Sequence, residues 1–101
     1  MRKLKGKARQ LEAACARALG RPDNPLALEE LLLRTLDLDG SFASAELRAS
    51  IKGIVKQVRA HSQRIAGRLR SELDGQSSDV AYVISGDIEC LRGSLQALLK
   101  V

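Results

Sequence analysis

The chain has 101 residues, with 17 Lys/Arg against 12 Asp/Glu for a net charge of +5, one Phe, one Tyr and no Trp. No run of about 18 apolar residues is present to span a bilayer, and two cysteines without CxxC spacing exclude a disulfide framework. These limits predict a single helical domain, residues 1–101, with an aliphatic core built largely from seventeen leucines.

Residues 3–19 read as a helix with Leu4, Ala8, Leu11, Cys15 and Ala18 on one face and Gly20 as the C′ residue that stops it. Arg2, Lys3, Lys5, Lys7 and Arg9 make this segment strongly basic, with Glu12 its only acid before Arg21. It lacks the apolar stretch of a secretory signal, while its charge pattern is similar to that of a mitochondrial targeting helix. The expected location is intracellular and cytoplasmic, with mitochondrial as the alternative. Cys15 and Cys90 both read as reduced thiols on helices.

Asn24 is a good N-cap for a second helix, and Pro25 suits its first position, where a missing N–H costs nothing. Leu26, Leu28, Leu31, Leu32, Leu33 and Leu36 cover much of its circumference, which predicts the most buried helix of the fold. Asp39-Gly40-Ser41 reads as a break. The twelve residues from Thr35 to Glu46 resemble an EF-hand loop. Asp37 and Asp39 stand at its third and fifth positions, Gly40 at the sharp turn, Phe42 at the apolar position and Glu46 at the closing ligand. Thr35 replaces the first Asp, and no second loop accompanies it. The expectation is a turn with little calcium-linked stability, a degenerate calcium-responsive protein being the minor alternative.

A third helix is expected over residues 44–73, about 45 Å long. Leu47, Ile51, Ile54, Val58, Ile65 and Leu69 form its apolar stripe, and His61 falls in the same phase at the seam's edge, with no metal expected there. Arg48, Lys52, Lys56, Arg59 and Arg70 line one flank as a candidate surface for an anionic partner. Ala49, Gly53, Ala60, Gly67 and Ser71 lie away from the apolar stripe within about 40° of one another. Residues 74–78 read as a loop, and Ser77 or Ser78 as the cap of a fourth helix. That helix carries Val80, Ile84, Ile88, Leu91, Leu95 and Leu98 on one side and Gly86, Cys90, Gly93 and Ala97 on the other. A glycine inside a helix costs about 1 kcal/mol relative to alanine, so the two small stripes are expected to be helix-packing interfaces.

Charge alternates along the chain. Residues 1–21 carry seven cations against one acid and residues 47–73 the same, whereas residues 22–46 carry one cation against six acids. In an up-down bundle each basic helix then has an acidic neighbour. No nucleophile elbow, P-loop or dinucleotide-binding pattern occurs, so no catalytic residue, cofactor or metal site is expected. The residues point to an all-α four-helix bundle with a long third helix. The function expected of it is protein–protein assembly: a small scaffold, adaptor or regulatory subunit that self-associates as a homo-oligomer. The alternative is a basic helical nucleic-acid-binding protein, against which stands the lack of aromatics to stack on bases.

Overall fold

A computed structural model describes residues 2–21, 24–42, 49–74 and 84–100. The described residues form four helices and no strand: α1 (Arg2–Gly20), α2 (Pro25–Phe42), α3 (Ala49–Asp74) and α4 (Ser85–Leu99). Asn24 Oδ1 accepts the Leu26 N–H at 3.0 Å, which makes Asn24 the N-cap of α2 as its residue type demands. Residues 43–48 and 75–83 lie outside the described set, and with them Leu47, Arg48, Glu46, Val80 and the Ser77/Ser78 cap.

Two helix ends differ from the sequence reading. Gly20 is the last helical residue of α1 with no left-handed backbone, and the Arg21 N–H still bonds the Arg17 carbonyl at 3.0 Å. The helix therefore ends by running out into the Arg21–Asn24 turn rather than by a glycine C′. α2 does not break at Asp39-Gly40-Ser41 but continues to Phe42. Phe42 is buried, and Ser41 Oγ donates to the Asp37 carbonyl at 3.1 Å. One more turn of helix buries the chain's only phenylalanine, which outweighs the roughly 1 kcal/mol cost of a helical glycine.

Each helix contributes a seam of buried residues spaced alternately four and three apart, the a/d pattern of a left-handed bundle. In α1 it is Leu4, Ala8, Leu11, Cys15 and Ala18, and in α2 Leu28, Leu31, Thr35, Leu38 and Phe42. In α3 it is Ile51, Val55, Val58, Ser62, Ile65 and Leu69, and in α4 Ile88, Leu91, Leu95 and Leu98, preceded by Ile84 at the N-cap position. α1 packs between α2 and α4, and α3 between α4 and α2, closing a ring of four seams of which α2–α3 is the sparsest. The body measures 40 × 22 × 19 Å, its long axis close to the roughly 39 Å of a 26-residue α3.

The α3 seam runs through Ser62, with His61 half-buried beside it. The alternating spacing from Val58 to Ile65 requires position 62, so His61 takes the rim as expected but not the apolar slot itself. Thr35 and Ser62 are the only buried polar residues among those described. Thr35 Oγ1 satisfies itself on the Leu32 carbonyl at 2.6 Å, while Ser62 Oγ and His61 Nδ1 are buried with no hydrogen-bond partner.

Candidate interaction surface

Ion pairs stitch every seam of the ring. Lys7–Asp37 at 2.7 Å and the two-bonded Arg17–Glu30 pair join α1 to α2. Arg59–Asp39 at 3.0 Å joins α3 to α2, Arg64–Asp87 at 3.1 Å joins α3 to α4, and Arg92–Glu12 at 2.8 Å joins α4 to α1. The alternation of charge along the chain is thus used between neighbours, and the bond to Glu12 holds the Arg92 guanidinium further up in its protonated form. Such half-exposed pairs contribute about 0–1 kcal/mol each. Their larger effect is to fix which helix lies beside which.

These pairs also occupy the acids of the EF-hand-like stretch. Asp37 and Asp39 sit on helical backbone, about 200° apart around the axis, and turn toward α1 and α3 respectively. A calcium loop needs its ligands converging on one point; the helix disperses them. Glu46 lies outside the described residues. Among the described residues, no three His, Cys, Asp or Glu side chains gather closely enough to hold a metal.

The small stripes face outward. Ala49, Gly53, Ala60 and Gly67 of α3 and Gly86, Cys90, Gly93 and Ala97 of α4 are all exposed, and a Cβ built on any of the four glycines meets nothing within 4 Å. No other helix among the described residues covers them. Of the basic stripe, Lys52, Lys56, Arg59 and Arg70 are exposed, while Arg48 lies outside the described residues. Arg59 is spent on Asp39; Lys52, Lys56 and Arg70, with Arg68 further round, have no acidic partner among the described residues.

α2 departs most from the sequence reading. Far from being the most buried helix, it exposes Leu26 to 71%, Leu33 to 64% and Leu36 to 41%. Leu28, Leu31 and Leu38 supply its buried seam. Leu26 and Leu33 are one heptad apart and so fall within about 20° of each other on the outer side. Leu36 lies about 60° further round, toward α3. Glu29, exposed and without a cationic partner among the described residues, sits between them. Leucine over more than half of a helix's circumference exceeds what one buried face of a bundle can use. That excess is the mark this surface leaves in the sequence, where the same leucines read as core.

The two thiols have opposite environments. Cys15 is fully buried in the α1 seam, where desolvation and then the nearby Glu12 carboxylate push its pKa up to about 12. Cys90 is exposed on α4. No helix among the described residues is long and apolar enough to cross a membrane. No protein-family model, curated protein or solved structure matches the chain.

Proposed function

We propose that this chain is a protein–protein assembly module that docks through the outer face of α2. The observation that carries this reading is the stripe of Leu26, Leu33 and Leu36, three large apolar side chains left in water by a helix whose core face is already complete. Fully burying one leucine is worth about 1.5–3 kcal/mol, so a partner covering this stripe gains several kcal/mol before the costs of association. The small stripes of α3 and α4 expose little apolar area of their own and do not enter this reading.

The test is photo-crosslinking in cells from a benzophenone amino acid placed at position 26 or 33, with exposed position 96 as control. Discrete protein adducts from 26 and 33 that are absent from 96 support the reading. No adduct from either position, or the same pattern from all three, overturns it.

A second reading rests on a separate observation. Lys52, Lys56 and Arg70 share one flank of α3 and have no acidic partner among the described residues, and together they fit a polyanion such as nucleic acid. Binding to duplex DNA whose affinity falls linearly with log salt, with a slope near −0.9 per phosphate contact, would favour it.

A further inference from the structure

We propose that the face formed by α2 and α3 is self-complementary, and that two copies of this chain pair through it about a two-fold axis parallel to the bundle. This rests on the assembly reading of α2 and names its partner. The face has two unlike halves. The α2 half carries Leu26, Leu33 and Leu36 with Glu29, an acid without a cationic partner among the described residues. The α3 half carries Lys52, Lys56 and Arg70, cations without an acidic partner among the described residues, and its charged stripe is interrupted between Arg59 and Arg70 by Gln63, Ala66 and Gly67. A rotation of 180° about an axis parallel to the helices exchanges left and right but preserves height. It therefore lays α2 of one copy on α3 of the other, antiparallel, twice.

The heights match. Within one copy the Asp39–Arg59 pair sets α2 and α3 level with each other. Glu29 is ten residues along α2 from Asp39, and Arg70 eleven along α3 from Arg59 in the antiparallel direction. At 1.5 Å per residue these distances are about 15 and 16.5 Å, so Glu29 of one copy arrives beside Arg70 of the other. Leu33, six residues from Asp39, arrives at the level of position 65, on the uncharged gap of Gln63 and Gly67. An axis running across the helices would instead stack α2 on α2. It would also lay α3 on α3 and set the cationic stripe of Lys52, Lys56 and Arg70 against its own copy, a like-charge contact. Charge thus selects the first arrangement. A face about 27 Å long, the span of an 18-residue α2, and about 20 Å wide buries roughly 1,000 Å² over two copies, the size of a weak, concentration-dependent dimer.

The experiment is sedimentation equilibrium of the purified protein up to the order of 100 µM, for wild type, Glu29→Arg, Arg70→Glu, the double variant and Leu33→Asp, each checked by its melting curve. The expected result is a reversible dimer. Each single reversal breaks two symmetry-related contacts and should weaken it at least about tenfold; the double variant should return to within about threefold, and Leu33→Asp should abolish it. All three positions are on the surface, so melting should stay near wild type. A monomer at every concentration, a dimer indifferent to the single reversals, or a double variant no better than the singles overturns the proposal. A monomeric wild type that still forms position-specific adducts from 26 and 33 in cells removes this inference alone. Absence of both dimer and adducts removes the assembly reading too.

Discussion

Substituting Gly93 by alanine tests whether the small-residue stripes face water. Gly93 lies in the interior of α4, exposed, with right-handed backbone and nothing within 4 Å of where a Cβ would stand. Alanine therefore meets no clash. It gains helix propensity and removes freedom from the unfolded chain, together about 0.4–1 kcal/mol. Gly53 of α3 has the same surroundings, and as the two sites share no partner their effects should add. The double variant should gain about 1–2 kcal/mol. For a domain of this size each 1 kcal/mol moves the melting temperature by roughly 4–8 °C, so the rise should be on the order of 5–15 °C. Differential scanning calorimetry, with light-scattering mass on the same samples, reads it directly. Gly93→Leu should leave mass and stability near wild type. A fall in melting temperature with Gly93→Ala, or loss of stability of about 1–3 kcal/mol with Gly93→Leu as in overpacked interiors, would refute the reasoning and mean that another backbone lies on the α4 stripe.

Ser62→Ala should be neutral or stabilising by up to about 1 kcal/mol in urea unfolding, because its buried hydroxyl has no partner to lose; His61→Leu should behave alike, and a loss above about 2 kcal/mol would reveal a polar network there. Cys90 should react with a thiol reagent in the native protein and Cys15 only after unfolding, read as one thiol and then two. Cys15 holds its proton longer when folded, so its contribution is fully present below the unfolded thiol value near 8.5 and is lost as pH rises from there toward about 12. Cys15→Ala should flatten that alkaline decline in stability measured across pH 8–11. Leu91→Ala, at the centre of the α4 seam, should cost about 2–5 kcal/mol.

The sequence alone determined the helical class, the four helices, the Asn24 cap and the core faces of α1 and α4. These are local matters: propensity, one side-chain oxygen within reach of an N–H, and a three-four spacing with small or polar residues between. It also determined the pairing of basic with acidic helices, since charge alternates by segment. Tertiary structure decided the rest. Leu28 and Leu26 are chemically identical, and only the positions of α1 and α3 settle that the first is buried while the second stands in water. Gly40 and Asp39 read as a break until the burial of Phe42 makes another turn worthwhile. Ser62 displaces His61 from the seam because the spacing of four α3 neighbours, not hydropathy, chooses the inward position. The candidate surface was hidden for the same reason. Burial is a property of neighbours, and a leucine-rich helix does not say which of its faces the neighbours will take.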